Sequence, residues 1–288
     1  MRKLFIGLLC FVVLSVMLGL EVRMVITSNG QDEEVELDLQ LEEEDIGFVF
    51  LDLPNGEATY VELPNEESVL IGTGSNDCAE SLFFRLKKLN VSSIETIILP
   101  RFEKEYSGNV EEVTSRLGVK TLIVPEAGMN QAKTQYEHLD VDIIGWSDKQ
   151  EERLADHVEV KILPSKSSIM PTLSFLVTVH NKHQFFFSSE ANEELEKDWV
   201  QKGLSPVSLL KVAEFGTNNG TSQRFLNELD PQVAILFTRE NGEVSGQLLE
   251  RLQETWIDTY RTKQNGSVIV KVSQTDYELV TVHFQAAK

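Results

Sequence analysis

Imidazoles and thiols do most nucleophilic and metal chemistry near neutral pH, and this chain of 288 residues has few of either. Its histidines are His138, His157, His180, His183 and His283, and its cysteines are Cys10 and Cys78. Cys10 lies in an apolar N-terminal run and Cys78 far away in the body. No intrachain disulfide is expected, and the chain carries no redox signature. His180 and His183 flank Asn181-Lys182, which suits a two-residue hairpin loop and would make the imidazoles cross-strand neighbours able to hold a metal. Two ligands make a weak site, so the expectation is an exposed tip with both rings in water. Gly72-Thr73-Gly74-Ser75 lacks the strand–nucleophile–helix spacing of a serine elbow and has no identified base. As a dinucleotide loop it lacks the third glycine, with Asp at position 77. Three Asn-x-Ser/Thr triplets begin at Asn90, Asn219 and Asn265; such triplets arise easily by chance and carry no weight.

The elements that would position any site are β-rich first, then alternate with helices. Strands are expected at Ile46–Leu53, Ala58–Leu63 and Ser68–Gly72, separated by Pro54-Asn55-Gly56 and Pro64-Asn65, both good turn sequences. A helix capped by Asn76 or Asp77 runs to Leu89, with Leu82, Phe83, Leu86 and Leu89 at helical spacing. Strands at Thr96–Leu99 and Thr121–Val124 alternate with helices at Asn109–Leu117 and 129–138. The second half has strands at Val158–Leu163, Leu173–Val179, Gln184–Phe187, Ser208–Val212, Val233–Phe237 and Ser267–Val272. Its helices fall near 191–202, 221–229 and 245–255. Two β-rich halves with helices outside define an α/β chain (α+β by some schemes) folded as a four-layer αββα sandwich.

Met1-Arg2-Lys3 precedes Leu4 to Leu20, seventeen residues without a charge. That order fits a signal anchor, and no Ala-x-Ala-like cleavage site follows it. A run of this length just spans a bilayer, and the basic head stays cytoplasmic, leaving the body outside. The expected organisation is a cytoplasmic head and transmembrane helix over 1–25, an acidic linker over 26–45 and one domain over 46–288. Secretion after cleavage is the alternative. Residues 31–45 hold nine acidic residues and no basic one, although Val35, Leu37, Leu39 and Leu41 alternate in a way that fits a short embedded strand. The net charge of −20 argues against binding nucleic acid, which needs Lys and Arg facing phosphates.

Several ordered stretches resemble the metallo-β-lactamase-like domain of ComEC-type competence proteins, over roughly residues 46–272. They are Phe48-Val49-Phe50-Leu51-Asp52, Leu63-Pro64-Asn65, Leu70-Ile71-Gly72-Thr73-Gly74, and the run from Tyr260-Arg261-Thr262 to Gly266-Ser267-Val268-Ile269. The resemblance implies the sandwich fold and a site for one or two zinc-type ions, whose bound water is acidified to a pKa of about 7. It also implies where the ligands would lie. In the loop Leu99-Pro100-Arg101-Phe102-Glu103-Lys104-Glu105-Tyr106-Ser107-Gly108, the family's His, His or Asp, Asp and His positions hold Arg101, Glu103, Glu105 and Tyr106. The bridging Asp matches Glu190, the His-His-Gly-Ser element matches Glu214-Phe215-Gly216-Thr217, and a final His-Pro falls at Gly242-Glu243. None of the five histidines matches a ligand position.

Two readings follow. In the first the fold is kept for binding or scaffolding at the cell surface, without catalytic residues, metal or cofactor. Arg101, which has no lone pair to give, then pairs with Glu103, Glu105 or Glu190 and neutralises the pocket in place of a metal. In the second the carboxylates of Glu103, Glu105, Glu190, Glu214 and Glu243 gather Mg²⁺, Mn²⁺ or Ca²⁺, hard cations that prefer oxygen. The chain is then a metal-dependent hydrolase or phosphodiesterase linked to DNA uptake. A full ComEC-type protein carries this domain beside a multi-helix DNA channel, for which this chain has no room. The expected partners are the membrane, through the N-terminal helix, and a protein rather than DNA.

Overall fold

The computed structural model describes residues 37–64, 67–166, 170–204 and 206–284. The N-terminal apolar run lies outside them. Among the described residues no helix is long and apolar enough to cross a membrane.

The described residues form two facing sheets. The first, of eight strands, runs in the order β15 (Tyr277–Val282), β14 (Ser267–Val272), β1 (Ile46–Phe50), β2 (Thr59–Glu62), β3 (Ser68–Ile71), β4 (Thr96–Ile98), β5 (Thr121–Pro125), β6 (Asp142–Trp146). The second, of seven, runs β13 (Asp258–Arg261), β12 (Val233–Leu236), β11 (Leu209–Lys211), β10 (His183–Phe187), β9 (Ser174–Val179), β8 (Val158–Leu163), β7 (Glu151–Ala155). Strands β3 to β6 are parallel to one another, as are β10 to β13. Parallel strands need both faces covered, and the burial pattern shows it. In β3 all four residues are buried: Val69 and Ile71 face the other sheet, while Leu70 belongs to the outer layer. Between the sheets, Phe48 meets Phe185 edge-on at 5.0 Å between ring centroids, and Phe50 stacks on Phe187 at 5.9 Å.

Helices close both outer faces. Leu82, Phe83 and Leu86 of α1 (Ala79–Lys88), Val110 and Val113 of α3 (Val110–Leu117), and Tyr136 of α4 (Met129–Tyr136) cover the first sheet. The short α2 (Lys104–Ser107) precedes α3. Trp199 of α5 (Glu193–Gln201), Phe225 of α6 (Gln223–Leu229), and Leu248 and Leu252 of α7 (Gly246–Glu254) cover the second. A last turn, α8 (Thr262–Asn265), joins β13 to β14.

The expected strands and helices in the described residues all form, most with ends trimmed by one to three residues. Four further strands, β6, β7, β13 and β15, were absent from the sequence-based assignment. They are the four sheet edges. An edge strand is half solvated and polar, so neither a continuous apolar run nor a full alternation marks it. The alternation at 37–41 forms no strand: Leu37 and Leu39 pack on the outer layer under α1, and the Leu37 amide bonds the Lys88 carbonyl.

The hairpin at His180 also differs from expectation. Its loop spans His180 to Lys182, with His180 and Asn181 both in the left-handed region. Only His180 is partly solvated, its ring tilted against that of His157 at 5.3 Å between centroids. His183 is buried, edge-on to Tyr277, and its Nε2 has no partner. Burial, with help from Lys182, holds its pKa below the ordinary 6.5. The unfolded chain therefore takes up a proton that the folded one refuses, and stability falls as pH drops through about 6.5. In His183→Gln, the loss of stability between about pH 7.5 and 5.5, read from urea melts, is expected to be smaller than in the parent.

Candidate functional site

All parallel strands of both sheets finish at one end of the sandwich, where ligand sites of α/β proteins concentrate. The loop after β4 brings Arg101, the loop after β10 brings Ser189 and Glu190, and the loop after β11 brings Glu214. The loop between β1 and β2 adds Glu57. Tight glycine geometry packs these loops together. A Cβ at Gly108 would collide with the backbones of Asn76 and Lys104, and Gly216 (φ +78°) has no room beside Leu236 and Val244.

Arg101 is the centre of the cluster and is only 6% exposed. Its Nε donates to Glu103 Oε1 at 2.9 Å, and Nη2 donates to the same oxygen. Nη1 donates to Glu214 Oε1 at 2.7 Å and to the Ser189 carbonyl at 2.9 Å. The guanidinium thus bridges a loop of the first sheet to two loops of the second. Burial works against its charge, but the bonds to Glu103 and Glu214 and the neighbouring Tyr106 outweigh that and raise its pKa. Burial likewise pushes the Glu103 carboxyl up, and Arg101 more than reverses the shift. Arg101 also lies 5.5 Å from the centre of the Tyr106 ring.

Glu214 and Phe215 hold this geometry in consecutive left-handed conformations, φ +48° and +58°, followed by left-handed Gly216. Each such non-glycine residue costs roughly 1–2 kcal/mol, and surrounding contacts must hold it there. Here these are the Arg101–Glu214 bond, the Tyr106–Phe215 ring contact at 5.4 Å and Arg239 over the Phe215 ring at 5.6 Å.

The remaining expected residues divide. Glu105 is buried but pairs with Arg239 at 3.0 Å, not with Arg101. Glu190 also avoids Arg101: its Oε2 accepts from Ser165 at 2.9 Å and Thr172 at 3.0 Å, and its Oε1 from Asn192 at 3.4 Å. Tyr106 is buried with its hydroxyl unpartnered, and burial drives its pKa well above the ordinary value. Glu243 is exposed on the loop after β12, outside the cluster.

Sequence reasoning missed a second buried ion pair. Lys211, at the end of β11, donates to Glu57 Oε2 at 2.6 Å, with the side chains 2% and 4% exposed. Its signal was a lysine inside the apolar strand Leu209-Leu210-Lys211-Val212. Burial raises the Glu57 pKa, and Lys211 and Arg101 partly offset this. The other oxygen, Oε1, is buried without a partner. Arg239, pairing with Glu105, was missed too.

The donor chemistry of this cluster does not fit a metal centre. It contains no histidine, and its central side chain offers only N–H donors. Among the described residues no three His, Cys, Asp or Glu side chains gather as a metal-holding group.

Comparison with known proteins places the architecture. No family model matches the chain. YhfI from Bacillus subtilis, a metallo-β-lactamase fold protein, superposes with a TM-score of 0.59 at 11% identity, covering 78% of this chain and 99% of that one. The fold is the metallo-β-lactamase fold. Igni18, a metallo hydrolase from Ignicoccus hospitalis KIN4/I, superposes with a TM-score of 0.53 at 10% identity, over 78% of this chain and 98% of its own. In sequence, ComE operon protein 3 of Bacillus subtilis (strain 168) is 21% identical over 247 residues. That similarity covers 76% of this chain and 32% of the relative, so the chain spans about a third of that protein's length.

Removing one member of a buried ion pair strands the other and costs about 3–5 kcal/mol, whereas replacing both is far milder. Lys211→Met is expected to destabilise by that amount in urea melts. Adding Glu57→Leu is expected to restore much of it, giving a coupling of at least about 2 kcal/mol in the double-mutant cycle.

Proposed function

We propose that this chain is a membrane-anchored, extracytoplasmic protein that keeps the metallo-β-lactamase fold for binding or scaffolding and does not hydrolyse through a metal. The observation that carries the reading is Arg101, 6% exposed and spread across Glu103, Glu214 and the Ser189 carbonyl. By the resemblance, the family holds a metal ligand at the position of Arg101, and this side chain is a fixed cation instead. Its positive charge offsets the carboxylates that would otherwise attract an ion. The geometry also gives each remaining carboxylate a neighbour. Glu105 has Arg239, Glu57 has Lys211, and Glu190 has Ser165, Thr172 and Asn192. Closed by its own ion pairs, the cluster leaves a bound metal little reason to enter.

The anchored part of the proposal rests on the basic head and the uncharged run Leu4 to Leu20. The partner in this reading is a protein at the cell surface, because a chain of net charge −20 repels nucleic acid.

The test is metal content by plasma mass spectrometry on the full chain, purified in detergent without chelator. It is paired with thermal melts in added Mn²⁺, Mg²⁺, Ca²⁺ and Zn²⁺. The reading predicts substoichiometric metal and no stabilisation. Near-stoichiometric metal, or a melt shift abolished by Glu190→Ala, would replace it with the carboxylate-site hydrolase and justify a phosphodiester substrate screen.

A further inference from the structure

The end of the sandwich opposite the Arg101 cluster carries its own concentration of features. The chain joins the body there. The Glu44 backbone carbonyl faces His180 Nε2 at 3.0 Å, and its carboxylate accepts from Gln274 in the turn between β14 and β15. Lys271 bonds the Gln40 carbonyl and pairs with Asp45 at 3.4 Å. The same end is where β12 and β13 begin: the Asp258 amide donates to the Gln232 carbonyl at 3.0 Å, and Gln232 in turn accepts from Tyr277. Two residues before Asp258, on the turn from α7 into β13, stands Trp256.

Trp256 is 93% exposed and left-handed at φ +57°. The other two tryptophans, Trp146 and Trp199, are 4% and 1% exposed. An indole is an amphipathic ring that prefers the boundary between water and lipid headgroups. A surface turn that holds one almost wholly in water, in a backbone conformation unfavourable for a bulky residue, has an unused binding group. The chain enters the body at this same end, where Glu44 meets His180 and Gln274, and sixteen residues separate Leu37 from the uncharged run Leu4 to Leu20. At most about 3.5 Å per residue, those residues keep this end of the body within about 60 Å of a bilayer that holds the run.

We infer that the end of the sandwich bearing Trp256 faces the membrane and that Trp256 inserts its ring among the lipid headgroups, turning the Arg101 end outward. The inference rests on the anchored reading above and adds the orientation and the contact. The surrounding charge sets the lipid chemistry. Next to Trp256, Asp258 lies two residues on, and Asp230 and Asp276 neighbour the bonded pair Gln232 and Tyr277; all three carboxylates are exposed. These charges repel anionic headgroups, so the surface fits zwitterionic lipid and is weakened by anionic lipid at low salt.

The test uses the full chain reconstituted into phosphatidylcholine vesicles with and without brominated acyl chains, because bromine quenches only tryptophan close to the bilayer. Wild type is expected to lose most of its solvent-exposed tryptophan emission to the brominated lipid and to shift to the blue. Trp256→Phe is expected to show neither, since Trp146 and Trp199 stay inside the fold. Including phosphatidylglycerol is expected to reduce the quenching at low salt, with recovery as salt is added. A chain that resists carbonate extraction but keeps its Trp256 emission open to aqueous iodide and untouched by bromine overturns the inference alone. A chain that carbonate washes off the vesicles overturns the anchored reading and the inference with it.

Discussion

A guanidinium buried at the seam between two sheets must find its partners there, because a charge taken out of water without them costs far more than a folded domain has to spare. Arg101 finds three: Glu103 from its own loop, and Glu214 and the Ser189 carbonyl from the facing sheet. Much of the local geometry is subordinate to this fan of bonds. Glu214 reaches it only from a left-handed backbone, Phe215 follows in the same strained state, and Tyr106 and Arg239 pack on Phe215 to hold the turn in place. Lys211 with Glu57 repeats the device deeper in the seam, again joining one sheet to the other. Buried pairs of this kind do little for net stability compared with well-packed apolar residues. Their presence here fits a site whose carboxylates remain and whose countercharge is supplied by the protein's own side chains.

This arrangement gives the sandwich two dissimilar ends. At the carboxyl ends of the parallel strands, charges are interior, paired and bound to specific acceptors. At the other end they are mostly exposed, with a buried His183 whose Nε2 lacks a partner and one tryptophan standing in water. The proposed scaffold role needs only that the Arg101 end be presented outward, opposite the end where the chain meets the body at Glu44.

Much of the fold was legible in the sequence because its central strands are buried on both faces, and runs such as Phe48-Val49-Phe50 or Phe185-Phe186-Phe187 admit few other readings. The four edge strands were not: exposure alternates along β6, β7 and β15, but side-chain polarity does not follow it, with the apolar Ile144 and Val280 on exposed positions. At the site, the residues brought together by the loops after β4, β10 and β11 were legible through the order of the matching motifs. Their partners were legible in part: Arg101 bonds the expected Glu103 but takes Glu214 in place of Glu105 and Glu190, a choice made by loop conformation and not by spacing. Glu57 and Lys211 lie 154 positions apart, and no local pattern joins them. A lone lysine in an apolar strand was the one available sign.

The most direct measurement of the central idea is the metal response of Arg101→His, set beside that of the parent chain. If the guanidinium stands where an ion would, the variant melts lower than the parent without metal, and Mn²⁺ or Zn²⁺ recovers stability by binding the freed Glu103 and Glu214 with the new imidazole, while the parent is unmoved by either ion. A folded Arg101→His that ignores both ions, or a parent that is stabilised as strongly as the variant, would contradict the account.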